Sequence, residues 1–376
     1  MMRKGRTVGR NTPRSSTKII RPQLPISLRL SNERRCKYLF LRGIQVKPRR
    51  LGKTGPTAFP LGLGCMGMSD FYGPSDRAES IATIHASIDA GINFLDTGDF
   101  YGMGHNEMLI AEALTGVSRD KVILSVKFGA LRDPSGAWHG VDGRPASVKT
   151  SLAYTLKRLN TEYIDIYRPA RLDPNVPIED TVGAIADMVK AGYVKHVGLS
   201  EIGSETLKRA SQIHPICDLQ IEYSLFSRGI EESVLKTCRQ LGIGITAYGV
   251  LSRGLISDKW PSEQITARDF RSYSPRFQGE NLAHNLKALE PLRRVATDNN
   301  ATVAQIAIAW VLSRGENIVP LIGTRRKITF QESIAAVNIT LTTEELELLD
   351  QAFPEGIAAG SRYADQQMAH LDSERG

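Results

Sequence analysis

The chain lacks any apolar run of eighteen or more residues, which argues against a helix that crosses a membrane. It is short of cysteine: Cys36, Cys65, Cys217 and Cys238 stand far apart, with no CxxC and no Cys/His spacing. That scatter argues against a zinc site and a dense disulfide framework, and it fits a reducing compartment. The histidines (His85, His105, His139, His196, His214, His284, His370) form no ligand-spaced group, so no metal site is expected. The first fifty residues also lack acids, with Glu33 alone among 15 Lys and Arg. The formal +8 of the whole chain is therefore a leader at +14 and a body at about −6.

Three segments follow from this: a basic leader over 1–47, a folded body over 48–355 and a tail over 356–376. The leader, rich in Arg, Ser and Thr, has the composition of an organellar transit peptide. The competing readings are a disordered extension and an upstream start added to a shorter protein. Nucleic-acid binding would need aromatics among the basic residues or a folded reader. Tyr38 and Phe40 do not amount to that, so no nucleic-acid partner is expected. The expected location is the cytoplasm, or an organelle if the leader is a cleaved targeting segment.

Within the body, short apolar runs alternate with longer amphipathic ones. The runs cover 60–68, 93–98, 121–129, 163–170, 194–201, 218–224, 244–250 and 318–323. Each is rich in Val, Ile or Leu rather than alternating, as strands covered on both faces are. Between them lie helical patterns, the first opening at Asp76 and closing on Gly91. Others start at 147, 178, 204 and 231, and a longer stretch holds a helix near 281–298 and another from Thr302. Eight strand–helix units in about 300 residues predict a single (β/α)8 barrel, an α/β fold of TIM type. A doubly wound sheet competes but usually has fewer strands and a topological switch. "RRLGKTGPTAFP", ahead of the first strand, reads as a hairpin that caps the barrel bottom.

"GLGCMG" (Gly62, Gly64, Gly67) spells GxGxxG, but a loop follows it and no helix begins inside it. A dinucleotide-binding turn needs that helix. The glycines are read instead as room for the first strand to pack.

In such barrels functional residues gather at the C-terminal strand ends. The second run carries Asp96, and the third carries Lys127, both charges inside apolar sequence where an unpaired charge is costly. The two can pair. Tyr101, just after the second run, would then feel the ammonium, which lowers a phenol's pKa and makes a general acid. From spacing alone, a buried ion pair beside a packing tyrosine serves equally well.

"FLDTGDFYGMGHNEMLIAEAL", "SVKFG", "YIDIYRPARLDP", "GLSE", "LQIEYSLFSR", "AYGVLSRGL" and "PLIGTRR", in this order, resemble the aldo-keto reductase superfamily over about residues 48–350. The likeness is to the branch near the potassium-channel beta subunit, aryl-alcohol dehydrogenases and pyridoxal reductases. It implies a barrel that binds NADP(H) without a Rossmann domain and moves hydride between the nicotinamide and a small carbonyl or alcohol substrate. Tyr101 matches the proton donor, Lys127 the lysine beside it and Asp96 the aspartate that holds the lysine. Ser200 and Gln220 match the carboxamide-binding residues and Tyr248 the ring that stacks on the nicotinamide. Leu251 and Gly254, in "VLSRGL", match the loop over the pyrophosphate. Gly323, Thr324 and Arg325 match the phosphate cradle, where Arg325 would favour the 2′-phosphate of NADP.

The chain departs from the pattern in places. Glu201 stands where Asn usually follows the serine, and Thr329 and Ser333 replace an Arg and an Asn. Ala170 takes the position of a histidine that donates to the substrate oxygen. Arg168 shares the face of Ala170 by strand alternation and is a candidate replacement donor, catalytic like Tyr101 and Lys127. Its alternative role is to pair with a buried acid such as Glu222. Arg171, Asp173 and Pro174 read as a turn onto the next helix, and Trp138 and His139 as residues of the substrate mouth. The missing histidine keeps a second reading open, an NADP(H)-binding sensor or regulatory subunit with little turnover.

Overall fold

The computed structural model describes residues 46–257, 260, 265–266 and 269–374. The chain divides into Met1–Ile44 and Gln45–Gly376, so the leader expected over 1–47 falls almost wholly outside the described residues.

Twelve strands are described: β1 (Arg49–Arg50), β2 (Thr57–Ala58), β3 (Gly62–Gly64), β4 (Phe94–Gly98), β5 (Ile123–Phe128), β6 (Ala130–Arg132), β7 (Trp138–Val141), β8 (Ile164–Pro169), β9 (Val194–Ser200), β10 (Ile216–Glu222), β11 (Gly244–Tyr248) and β12 (Ile318–Gly323). Eight of them close into a barrel in the order β3–β4–β5–β8–β9–β10–β11–β12 and back to β3, every pairing parallel. This is the predicted (β/α)8 barrel. The eighth strand matches its apolar run residue for residue. The first is shorter than its run, because the chain turns into a single 3-10 turn at Met66–Met68.

The helices are α1 (Arg77–Asp89), α2 (His105–Ala113), α3 (Pro145–Arg158), α4 (Ile178–Lys190), α5 (Ser204–Ile213), α6 (Val234–Leu241), α7 (Gly279–Ala288), α8 (Glu290–Asp298), α9 (Val303–Ser313), α10 (Lys327–Ile334), α11 (Thr343–Ala352) and α12 (Asp365–Met368). Asp76 caps α1 by accepting from the Glu79 N–H, and Gly91 follows it at φ 98°, both as predicted. The single helix expected near 281–298 is two, α7 and α8, parted at Leu289. Pro291 has no N–H to continue the first helix and sits well in the first turn of a second.

Side chains alternate along each strand, and the inward set changes character from bottom to top. At the bottom, Phe94, Ile123, Ile166, Val319 and Leu321 pack with Leu51, Ala58 and Cys217. Two residues further up the same faces stand Asp96, Ser125 and Arg168. The β1–β2 hairpin plugs this lower end, as its sequence predicted, and Arg49 donates to the carbonyls of Leu312, Gly315 and Ile318. Gly62 confirms the packing reading of the glycine-rich stretch: a Cβ there would lie 2.5 Å from Phe94 and 2.6 Å from Leu321. The outward strand faces join the helices in one large core, which Leu95, Leu124, Val126 and Tyr167 enter.

The described part of the tail, 356–374, crosses the top of the barrel. Asn285 on α7 donates to the Ala359 carbonyl, Arg276 to that of Gly360, and the Asp372 carboxylate accepts from the Gly203 N–H.

Candidate active site

Parallel register sets Asp96 beside Ser125 and Gly98 beside Lys127. The inward charges of β4 and β5 therefore meet: Lys127 Nζ donates to Asp96 Oδ1 at 2.5 Å, with both side chains about nineteen-twentieths buried. The other carboxylate oxygen, Asp96 Oδ2, accepts from Ser125 Oγ at 2.9 Å and from Gln220 Nε2 at 2.7 Å. A buried carboxylate with three donors is satisfied and fixed. Gln220, expected at the carboxamide of a cofactor, thus spends its amide N–H on Asp96.

Tyr101 follows β4 in a turn, its N–H donating to the Gly98 carbonyl. Its ring centroid lies 5.2 Å from Lys127 Nζ. Phe71 and Phe100 pack edge-on against it. Trp138, from the β6–β7 hairpin, stacks on Phe71 and meets Phe100, the two rings packed on Tyr101. His139 turns the other way, exposed and against Asp133.

The expected depression of the tyrosine pKa does not occur. Burial pushes the Tyr101 phenol well above its ordinary value and the Asp96 charge adds to this, while Arg171 pulls it down. A phenolate without water is costly, and Asp96 offsets the nearby ammonium. Lys127 itself is lowered by burial; Asp96 raises it, and Arg168 and Arg171 lower it further.

Arg168 is fully buried one layer beneath this group. Its Nη2 donates to Ser125 Oγ at 2.9 Å and pairs with Asp218 Oδ2 at 3.0 Å. One expectation is corrected here: its acidic partner is Asp218 and not Glu222, and the Nη2 of this candidate donor is held by Ser125 and Asp218. Asp218 is the nearer inward acid because β8 and β10 flank β9 at the level of Gly198, where any Cβ would meet both side chains.

Of the residues expected to hold the nicotinamide end, Gln220 alone reaches Asp96, and Ser200 and Tyr248 lie at the ends of the two strands that flank β10. Ser200 Oγ, at the end of β9, is buried with no hydrogen-bond partner. Tyr248, at the end of β11, donates to Glu201 Oε1 at 2.6 Å. Glu201 departs from the family residue and is itself in the left-handed region at φ 52°. It is fully buried and serves as an anchor for the tail: Arg362 and Ser373 both donate to it, and the Glu222 N–H does so as well.

Leu251 leads into three left-handed residues, Ser252, Arg253 and Gly254. Arg253 turns inward to Glu222 at 3.0 Å, and Ser252 Oγ is buried without a partner. Across the mouth, a Cβ on Gly323 would meet nothing within 4 Å. Thr324 Oγ1 bonds Thr329 and the Arg326 carbonyl, and Arg325 donates to the Tyr72 and Gly73 carbonyls. The first N–H of α10, that of Lys327, is met by the Glu79 carboxylate.

Three participants were not singled out for a site role from the sequence. Arg171, Arg362 and Tyr363 stand at the mouth, where Tyr363 Oη lies 2.9 Å from Tyr248 Oη. The tail has no apolar rhythm that would have drawn attention to it. The buried charge of Glu201, against the family pattern, was the available signal that something basic must cover it. No metal-ligating cluster is found among the described residues.

Comparison with known proteins agrees with this geometry. A family profile described as the aldo/keto reductase family matches residues 60–353. The chain is 40% identical over 320 residues to "Probable aldo-keto reductase 1" of Glycine max, covering 85% of this chain and 92% of that protein. The structure of a glycerol dehydrogenase from Gluconobacter oxydans superposes with a TM-score of 0.74 at 26% identity, covering 82% of this chain and 95% of its own. A thermostable aldo-keto reductase solved with the inhibitor epalrestat gives 0.67 at 28% identity, covering 81% and 99%.

Proposed function

Since the chain belongs to the aldo/keto reductase family, we propose that it is an NADPH-dependent carbonyl reductase, or an alcohol dehydrogenase when run in reverse, acting on a small aldehyde or ketone. The observation that carries this reading is the Asp96–Lys127 pair under Tyr101, with a buried, unpartnered Ser200 Oγ in register with Gln220, which holds Asp96. A lone buried hydroxyl costs free energy unless a ligand satisfies it. A carboxamide group at the end of β9 would do so, and Ser252 Oγ offers a second such position near the pyrophosphate. The residues therefore fit the cofactor.

When bound, NADPH supplies a hydride to the carbonyl carbon. Tyr101 Oη gives its proton to the carbonyl oxygen. Its raised pKa keeps that proton in place until charge develops on the oxygen. The Lys127 ammonium, fixed by Asp96, faces the phenolate that remains. Gln220 and Ser125 hold Asp96 so that this cation does not drift. Tyr248 offers a flat face at the end of β11. Phe71, Phe100 and Trp138 wall the mouth and keep water from the transferring hydride. Arg325 and Arg326, ahead of α10, would receive the 2′-phosphate and give NADPH its advantage over NADH.

Steady-state assays with a panel of aldehydes, and with glycerol and NADP+ in the oxidative direction, test the reading. NADPH oxidation is expected, with kcat/KM at least about tenfold above that for NADH. Tyr101→Phe is expected to lower kcat by about 10²–10⁴. Tight NADPH binding without oxidation by any carbonyl overturns the reductase reading in favour of a sensor.

A further inference from the structure

Ala170 leaves the carbonyl oxygen with one donor, Tyr101, where a second side chain is expected. Ala170 itself is held in place: its N–H donates to the Phe128 carbonyl at 2.8 Å and extends the β5–β8 ladder one step past Pro169. The next residue, Arg171, no longer follows strand alternation. Its side chain folds back onto the Ala170 backbone, with Nη1 donating to the Ala170 carbonyl at 2.7 Å and Nη2 reaching Tyr363 Oη at 3.4 Å. Tyr363 Oη in turn meets Tyr248 Oη, so Arg171 is tied to the ring at the end of β11.

Arg171 also differs from Arg168 and from the arginines gathered on Glu201 and Glu222; like Arg325, whose partners are the Tyr72 and Gly73 carbonyls, it meets no carboxylate. Arg168 pairs with Asp218, Arg253 and Arg276 with Glu222, and Arg362 with Glu201, Glu222 and Glu374. No carboxylate lies within ion-pair distance of Arg171 among the described residues. Only two of its five N–H donors are engaged. Its charge nevertheless reaches the reacting groups, pulling both the Tyr101 phenol and the Lys127 ammonium downward.

We propose that Arg171 is a catalytic residue that donates a hydrogen bond to the substrate's carbonyl oxygen opposite Tyr101, replacing the donor that Ala170 cannot supply. This rests on the reductase reading above. As hydride arrives at the carbon, the C=O π pair moves to the oxygen. Arg171 stabilises that charge without losing a proton, and Tyr101 then delivers the proton. A guanidinium suits the task because it stays charged throughout. Tyr363 Oη, at 3.4 Å from Nη2, holds one arm of the fork.

The test uses the full chain with NADPH and 4-nitrobenzaldehyde. Arg171→Ala is expected to lower kcat by about 10²–10³ while NADPH affinity, read by tryptophan fluorescence, stays within about threefold of wild type. Added guanidinium ion, well below denaturing concentration, is expected to restore part of the lost kcat, which a packing role would not allow. Arg171→Lys, with a cation but no fork, is expected between the two. If both variants bind NADPH and keep kcat within about threefold of wild type, the proposal is overturned while the reductase reading stands. A wild-type chain that binds NADPH and reduces nothing overturns both.

Discussion

The two ends of the barrel are closed by opposite chemistry. At the bottom, the β1–β2 hairpin brings Leu51 and Ala58 onto Phe94, Ile123, Ile166 and Val319, a hydrocarbon plug. At the top, the tail brings Arg362 onto Glu201 and Glu222, while Arg253 and Arg276 reach Glu222 from the other side. Apolar contact is non-directional and loses roughly in proportion to the area removed. Buried ion pairs are directional, and losing one member leaves the other charged and unsolvated. The closure without polar demands stands at the end with no chemistry. The closure built from charge stands at the end that holds Asp96, Lys127 and Tyr101, and within it Arg171 has no carboxylate at ion-pair distance among the described residues.

The difference can be broken most sharply at the top. Glu222→Gln leaves Arg253, Arg276 and Arg362 facing one another. It is expected to cost about 3–5 kcal/mol in urea unfolding and to loosen the tail, which limited proteolysis near Arg362 would reveal. At the bottom, Leu51→Ala is expected to cost about 2–4 kcal/mol through lost transfer energy and a cavity. Its kcat should match wild type, since no group near Asp96 moves. The smallest effect separates the two ends by pH alone. Burial would raise the carboxyls of Glu201 and Glu222, but the arginines hold both below the ordinary value of 4.5. Their contribution is complete above 4.5 and falls away as pH drops through the depressed folded values. Wild-type urea midpoints should therefore decline below pH 4.5 more steeply than those of Glu222→Gln, while Leu51→Ala should follow the wild-type slope.

The same contrast governs what could be read from the sequence. Strands buried on both faces appear as unbroken apolar runs, so all eight barrel strands were legible within a few residues at either end. Asp96 and Lys127 stood out because each interrupts such a run. Arg168 and Ala170 were rightly assigned to one face, but alternation gives a side chain's direction and not its partner. Asp218, on a strand two places away, was not visible from β8. Arg171 was read as part of a turn because the strand ends at Pro169 and alternation carries no information beyond it. Arg362 and Tyr363 were hidden more completely. They lie in a segment with no periodic apolar face, and their importance comes from two glutamates far away in sequence. The direction of the Tyr101 pKa was missed because spacing reports the nearby cation and not the depth of burial.

Glu201 and Arg362 are separated by 161 positions. At a synthesis rate of about 5–20 residues per second, Glu201 emerges roughly 8–30 seconds before its partner exists. Through that interval Glu201 lacks its arginine, while Glu222 already has Arg253 and Arg276, and the last strand, β12, is made before Arg362. The order of assembly is thus written into the chain: walls first, lid last.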